Sequence, residues 1–367
     1  MRGLYVHIPF CVSKCHYCDF YSLAGKTALL DSYLDALFVE ADKYRGMQFD
    51  TLYIGGGTPS ILGAKRLGVL IKGLSKQMDL GQLREASIEV NPDTAGRELF
   101  NAALSLGINR ISLGVQSLND EELRKAGRIH DARTAIDAAD MAAACGFDNI
   151  SADVIIGLPG QNGQTLLATL DQLRQMKMTH ISTYCLSIEE HTVFATNPPA
   201  DLLDDDSQAG LFESATQFLK QYGFKHYEIS NFSLPGRECL HNLNYWRGGE
   251  YVGIGPAAAS HINGKRFKNS ACLEKYLADP LSIEIEEDEL DEESKMAEEA
   301  MLRLRLLEEG LDLENLQRSY KHVNIGILRD RLDRLIEEHM LINCDGKYRL
   351  PSDRVLTSNQ IFANVLN

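Results

Sequence analysis

The chain lacks any long hydrophobic run. No apolar stretch reaches the roughly 18 residues that a membrane-spanning helix requires. The residues before Cys11 also lack the basic and then apolar segments of a secretory leader. We therefore expect a cytoplasmic protein with no transmembrane segment.

Positive charge is also scarce. The 367 residues include 37 Lys and Arg against 52 Asp and Glu, which gives a net charge of -15. A chain with this balance repels phosphate backbones, and no basic cluster stands out along it, so we expect no nucleic-acid partner. With 44% hydrophobic residues, the length allows one large domain and a smaller one.

The cysteines lack the spacing of a disulfide framework. Five of the eight are scattered singly, which is not the pattern of a small secreted domain. The other three, Cys11, Cys15 and Cys18, form the pattern C-x3-C-x2-C. Three thiolates from one loop can hold a [4Fe-4S] cluster and leave one iron open. A zinc site completed by His7 or His16 is the alternative, although zinc sites usually show a fourth Cys or His at a characteristic spacing.

Short β-type runs alternate with segments of helical periodicity through the first half of the chain. The predicted strands are Leu4–Ile8, Thr51–Ile54, Ser87–Val90, Arg110–Val115, Ile150–Ile156 and His180–Leu186. The predicted helices are Leu29–Tyr44, Leu62–Met78, Gly96–Leu106, Thr134–Cys145 and Gly163–Met176. Six βα units predict an α/β fold with a parallel sheet that closes partly, a partial (β/α)6 barrel.

Glycine and polar residues follow these predicted strands one after another. They are, in chain order, Gly55 to Gly57 with Thr58, then Glu89, Gln116, Arg128 and Asp153. Each alone has an ordinary explanation as a tight turn or a polar strand end. Functional residues of such barrels lie at the carboxyl ends of the strands, so the recurrence predicts one ligand site.

Seven sequence motifs carry a resemblance to a known family. They read YVHIPFC, CxxxCxYCDF, GGGTPS, EVNPDT, RISLGVQS, GRIH and DVIIGLPGQ. The N-terminal two-thirds of the chain resembles the branch of the radical S-adenosylmethionine (SAM) family that contains oxygen-independent coproporphyrinogen III oxidases and their relatives, the heme chaperones. The resemblance implies that Cys11, Cys15 and Cys18 ligate a [4Fe-4S] cluster. It further implies that SAM is bound by Tyr5, Tyr17, Gly56, Gly57, Thr58, Glu89, Gln116, Arg128 and Asp153.

Two features separate the chaperones from the oxidases within this resemblance. The oxidases carry a further cysteine where this chain has Phe20, which argues against coproporphyrinogen oxidase activity. The run from His241 to Trp246 matches the HNxxYW motif of the chaperones and contains the only Trp in the sequence. An imidazole can ligate heme iron, and aromatic faces can pack on the macrocycle, although a satisfied surface or core histidine beside an aromatic packing cluster is the ordinary explanation. The resemblance implies that His241, Tyr245 and Trp246 contact heme.

The function implied by the resemblance is therefore that of a heme chaperone, with heme, SAM and a [4Fe-4S] cluster as its cofactors. Its partners would be recipient heme proteins, with respiratory or membrane-associated ones as the candidates. An oxidase that acts on a porphyrinogen and a zinc-containing interaction protein are the two alternatives. Ala259 stands where the family motif GIGPxAHS has its histidine, and His261 is a candidate substitute.

The last part of the chain predicts a separate, mostly helical domain. The predicted helices are 292–309, 313–320 and 325–338, followed by a hairpin over 341–350 turned at Asp345-Gly346 and a helix from Asp353. This order resembles a winged helix. From Leu281 to Asn367 there are 20 Asp and Glu against 11 Lys and Arg, so a role in protein contact or as a lid is favoured over DNA binding. We interpret the acidic run from Glu284 to Glu293 as a solvated linker or helix face.

The predicted division is a barrel over 1–230, a connecting segment over 231–280 that carries HNxxYW, and the winged-helix-like domain over 281–367.

Overall fold

The computed structural model of the chain describes residues 1–282, 285–288 and 290–366, and of 285–288 only the backbone. The strands are β1 Arg2–Ile8, β2 Phe10–Cys11, β3 Leu23–Ala24, β4 Thr51–Gly56, β5 Glu85–Val90, β6 Arg110–Gln116, β7 Ile150–Ile156, β8 His180–Cys185, β9 Lys225–Glu228, β10 Asn231–Ser233, β11 Glu250–Ile254, β12 Ala259–Ile262, β13 Lys265–Asn269, β14 Ile285–Asp288, β15 Ile342–Cys344 and β16 Lys347–Arg349. The helices are α1 Leu30–Ala41, α2 Gly63–Gln77, α3 Arg97–Ser105, α4 Asp120–Lys125, α5 Ala132–Cys145, α6 Gly163–Gln175, α7 Val193–Thr196, α8 Asp205–Gln221, α9 Leu240–Trp246, α10 Leu273–Ala278, α11 Glu292–Leu304, α12 Leu313–Ser319, α13 Gly326–Glu337 and α14 Ser358–Leu366.

The six strands β1, β4, β5, β6, β7 and β8 pair in parallel and in this order, so the predicted (β/α)6 arrangement is confirmed. The sequence explains why these strands are central. In β6, Ile111, Leu113 and Val115 alternate with smaller or polar residues and are fully buried. The helices that connect the strands bury one face each, and α2 does so through Leu67 and Leu70 at helical spacing.

Further strands extend this sheet at both edges. Strand β11 pairs in parallel with β1, and β12, β13 and β14 follow it in antiparallel order, while β10 and β9 extend the sheet beyond β8. The interpretation of the whole acidic run as a linker or helix face was wrong, because 285–288 forms the edge strand β14. Residues 284 and 289 of that run lie outside the described residues. A strongly charged strand suits a sheet edge, since charge there discourages pairing with other chains.

The C-terminal part is mostly helical. Helices α11, α12 and α13 precede the hairpin of β15 and β16, and α14 ends the described chain. Asp345 and Gly346 both have positive φ, as the predicted tight hairpin turn requires. A 3-10 helix over Ser352–Thr357 leads into α14, which modifies the predicted helix from Asp353.

No helix of the described residues has the length and hydrophobicity to cross a membrane. The three-part domain division remains a prediction.

Candidate cofactor and ligand sites

The carboxyl ends of the parallel strands surround a cavity of about 360 Å³, which we call the cofactor cavity. It brings together nearly all of the residues that the sequence predicted at strand ends. Those in its lining are Cys11, Cys15, Tyr17, Cys18, Gly56, Gly57, Thr58, Glu89, Gln116, Arg128 and Asp153. Segments as far apart in sequence as the cysteine loop and β7 therefore meet at one place.

The three cysteines of the loop are free thiols that share this cavity. The Thr58 hydroxyl lies 3.4 Å from the Cys11 Sγ, and the Arg128 guanidinium lies 3.3 Å from the Cys15 Sγ. Burial raises the pKa of Cys18 to about 11, which favours the neutral thiol near neutral pH. Among the described residues, no group of three or more His, Cys, Asp or Glu side chains is arranged to hold a metal ion. Three cysteine sulfurs nevertheless line one cavity, and sulfur is the donor that iron-sulfur clusters require.

Two glycines at the carboxyl end of β4 have structural reasons that the sequence did not reveal. Gly56 has a φ of +118°, and a Cβ there would lie 2.8 Å from the His7 ring. A Cβ on Gly57 would lie 2.8 Å from the Phe10 carbonyl oxygen and 2.9 Å from the Cys11 Sγ. These two glycines therefore let β4 approach the strand and loop that carry the first cysteine.

Two partly buried carboxyl groups line the cofactor cavity. Glu89 accepts hydrogen bonds from the Tyr53 hydroxyl at 2.9 Å and from the Gly56 N–H at 3.1 Å. Burial, and then the nearby charge of Asp153, raise the pKa of Glu89 to about 7. Burial also raises the pKa of Asp153, which accepts a hydrogen bond from Ser112. A cation entering this cavity would favour the ionised form of both groups.

Arg128 is the main fixed cation of the cofactor cavity. Besides Cys15, its guanidinium donates to the Asn91 Oδ1 and to the Gly114 carbonyl oxygen, both at 2.9 Å. These bonds fix a partly buried positive charge against the cysteine loop, where it would partly neutralise an anionic cluster.

Sequence reasoning missed several residues of this lining. Ser112 and Gly114 lie on the same face of β6 as Gln116. Because every second residue of a strand points to the same face, both could have been predicted by counting back from Gln116. Tyr184 and Cys185 lie at the end of β8, where the strand-end argument was not applied. Tyr5, in contrast, is not part of this lining. Its hydroxyl contacts His7 Nδ1 at 3.0 Å, and its ring lines a different cavity.

That second cavity, of about 750 Å³, lies between the sheet surface of β11 and β12 and helices α11 and α12. We call it the aromatic cavity, because its lining includes the aromatic residues Tyr5, Tyr245, Trp246, Tyr251 and His261. Tyr245 and Tyr251 meet edge to face with ring centroids 4.5 Å apart. Two of the three residues predicted to contact heme, Tyr245 and Trp246, are therefore in its wall.

The third, His241, is not in that wall. It is 1% exposed and lies at the amino ends of β1 and β4. Its Nδ1 contacts the Thr51 hydroxyl at 2.8 Å, and its Nε2 contacts the Tyr245 hydroxyl at 2.7 Å. Burial, and then the charge of Arg110, lower the pKa of His241 to about 3, so the ring is neutral. Its predicted contact with heme remains a prediction.

Glu85 is a further residue that the sequence did not single out, and it holds α9 in place. This buried carboxylate accepts hydrogen bonds from the Leu240 N–H at 2.8 Å and the His241 N–H at 3.1 Å. The Cys239 Sγ is 3.4 Å away. Orphan N–H groups at the start of α9 are thereby satisfied, which fixes the helix that carries the HNxxYW motif.

Comparison with known proteins agrees with this geometry. Residues 5–173 match the Radical SAM superfamily. The chain is 34% identical to the heme chaperone HemW of Lactococcus lactis subsp. lactis (strain IL1403), over 100% of this chain and 97% of that protein. It is also 34% identical to the heme chaperone HemW of Escherichia coli (strain K12), over 98% and 96% of the two chains. The coproporphyrinogen III oxidase (HemN) structure from Escherichia coli shares the fold, with a TM-score of 0.86, 23% identity, and coverage of 99% of this chain and 89% of that one.

The barrel and the superfamily match together define a radical SAM domain over residues 5–173. Within that superfamily the chain belongs to the heme chaperone HemW family, because the identity extends over the full chain.

Proposed function

We propose that the protein binds heme and transfers it to recipient apoproteins, and that it carries a [4Fe-4S] cluster and SAM in the cofactor cavity. The observation that supports heme binding best is the aromatic cavity, whose wall includes Tyr245 and Trp246 of the HNxxYW helix. Its volume lies within the range of ligand sites, and aromatic faces favour a flat apolar ring. The name shared by the full-length relatives points to the same ligand.

The residues of the cofactor cavity fit the two resident groups. Cys11, Cys15 and Cys18 would ligate three irons, and Arg128 would offset the negative charge of the cluster. Glu89 would receive the ammonium group of SAM. When bound, the cluster would supply one-electron chemistry. In this proposal both groups serve structure or regulation, and Tyr17, Thr58, Gln116 and Asp153 complete the lining of the cavity.

Phe20 supports the chaperone over the oxidase. The side chain lines the cofactor cavity and is 65% exposed at its mouth. An aromatic group at this place offers neither a thiolate nor a proton to a substrate. We therefore expect no conversion of coproporphyrinogen by the protein.

A heme titration tests the proposal. The protein, reconstituted anaerobically with iron and sulfide, should give a saturable Soret band with hemin at one heme per chain. Added apomyoglobin should then remove the heme, which reports its release. The same sample should not turn over coproporphyrinogen in the presence of SAM and a reductant. Absence of a saturable band, or efficient porphyrinogen turnover, would refute the proposed function.

The pH dependence of SAM binding tests the role of Glu89. Because the pKa of Glu89 is raised to about 7, its carboxyl is mostly protonated at lower pH and cannot attract an ammonium group. SAM affinity should therefore increase on the order of tenfold between about pH 6 and pH 7.5, since the ionised fraction grows as pH passes the pKa. Calorimetry on the reconstituted protein measures this affinity. Glu89→Gln should bind more weakly and show a flat profile, and an unchanged profile in this variant would exclude Glu89 as the titrating group.

A further inference from the structure

We propose that the heme iron is ligated by His261 in the aromatic cavity, and that His241 acts as a positioning residue behind Tyr245. This inference rests on the proposed heme function and assigns the site within it. The HNxxYW motif would then supply the wall of the site rather than its iron ligand.

His261 has the surroundings of a metal-ligating histidine. It lines the aromatic cavity on β12, on the same face as Ala259. Its Nδ1 is 3.4 Å from the Gly249 carbonyl oxygen, whereas Nε2 has no hydrogen-bond partner among the described residues. A proton on Nδ1 that is held by a carbonyl leaves the Nε2 lone pair directed away from the backbone and available to a metal.

His241 has the opposite surroundings. Both ring nitrogens are engaged, by Thr51 and by Tyr245, at distances below 3 Å. The ring also packs on the β1 backbone so closely that a Cβ on Gly3 would lie 2.9 Å from its Cε1. Binding iron through Nε2 would require His241 to give up its hydrogen bond with Tyr245, and binding through Nδ1 would leave the fully buried Thr51 hydroxyl unpaired.

The walls around His261 suit a macrocycle. Tyr251 stands edge to face against His261 with ring centroids 6.0 Å apart, and Tyr245 continues this aromatic surface. The indole of Trp246 is held from behind by Arg305, whose guanidinium carbon is 4.4 Å from the ring centroid. The lining also includes Gly248, Gly249 and Gly264, which add no side chains to the space in front of the imidazole.

The charged residues of the cavity are carboxylates and their basic partners. Glu292, Glu298 and Glu299 line it together with Lys295 and Arg266. Arg266 is paired with Glu298, while Lys295 and Glu292 are 3.0 Å apart in a partly exposed pair. Such exposed pairs contribute little, so Lys295 is able to turn to a heme propionate at modest cost.

Hemin titration of single variants tests the ligand. His261→Ala should weaken hemin binding by about tenfold or more and shift the Soret band, because the iron loses its nitrogen ligand. Millimolar free imidazole should restore the wild-type band in this variant, which a purely structural defect would not permit. Spectra are taken as differences from the reconstituted protein without hemin, since the cluster absorbs in the same region. His191→Asn, at an exposed histidine in the loop after β8, is the matched control and should match the wild type.

The outcomes separate the ligand assignment from the proposed function. A wild-type Soret band and affinity in His261→Ala would refute the assignment while heme binding itself stands. So would a band that survives in His261→Ala and is lost in His241→Asn, provided that circular dichroism shows His241→Asn to be folded. Failure of the wild-type protein to bind hemin would refute the proposed function and this inference together.

Discussion

Replacing Cys15 with alanine should remove the iron-sulfur cluster from the reconstituted protein. A thiolate-bound cluster with three protein ligands cannot be held stably by two, and Cys15 is the proposed ligand beside the Arg128 guanidinium. Iron should fall from about four atoms per chain to near zero, with loss of the broad visible absorption of the cluster. Iron and sulfide analysis with absorption spectroscopy measures both changes. Cys11→Ala and Cys18→Ala should behave in the same way.

Cys145→Ala provides the matched control, because Cys145 ends α5 and does not line the cofactor cavity. It should retain the full iron content. Four irons per chain in Cys15→Ala would refute the assignment of this loop. Stoichiometric zinc in a colourless wild-type protein would instead support the alternative of a zinc site.

The cofactor cavity was predictable because two local signals coincide in it. Strands β4 to β7 have the hydrophobic pattern of a parallel sheet, and each is followed by glycine or by a polar residue. Once parallel strands are predicted, their carboxyl ends must lie together, so Glu89 and Asp153 become neighbours despite their separation in sequence. Alternation along a strand then extends the prediction to Ser112.

The aromatic cavity was not predictable in the same way. Tyr5 and His241 belong to motifs, yet the direction of each side chain depends on which face or end of the sheet it occupies. The register that pairs β1 with both β4 and β11 places the Tyr5 ring at the aromatic cavity, and this pairing joins residues about 250 positions apart. The acidic segment 285–288 illustrates the same limit, because pairing with β13 overrides a composition that favours a linker.

Glu85 illustrates a third limit, since a single acidic residue before a strand carries no local signal of its role. The structure places this carboxylate, 3% exposed, at the start of α9 and near the guanidinium of Arg110, which is also buried. Burial disfavours the charge of Arg110, but Cys239 and Glu85 around it hold its pKa above the ordinary value. Arg110 has two guanidinium nitrogens without hydrogen-bond partners, so its charge depends on these neighbours. Glu85 therefore stabilises both the HNxxYW helix, through hydrogen bonds, and the buried charge of Arg110 in the barrel core.

Glu85→Ala should accordingly destabilise the protein by about 2–4 kcal/mol, because it removes a carboxylate whose charge offsets that of the buried Arg110 guanidinium and it frees the first N–H groups of α9. The shift of the urea unfolding midpoint at constant m-value measures this change. Glu98→Ala, at an exposed position in the first turn of α3, is the matched control and should change the free energy of unfolding by no more than about 0.5 kcal/mol.

A double variant separates the effect of the uncompensated Arg110 charge from the effect of the lost hydrogen bonds to α9. If the buried guanidinium causes most of the loss, Glu85→Ala combined with Arg110→Met should be more stable than Glu85→Ala alone, because the uncompensated charge is removed as well. If the N–H contacts dominate, the double variant should be no more stable than the single one. Hemin affinity should fall in Glu85→Ala in either case, since Tyr245 and Trp246 lie on the helix that Glu85 anchors. An unchanged unfolding midpoint in Glu85→Ala would contradict the proposal that Glu85 stabilises α9 and the buried Arg110.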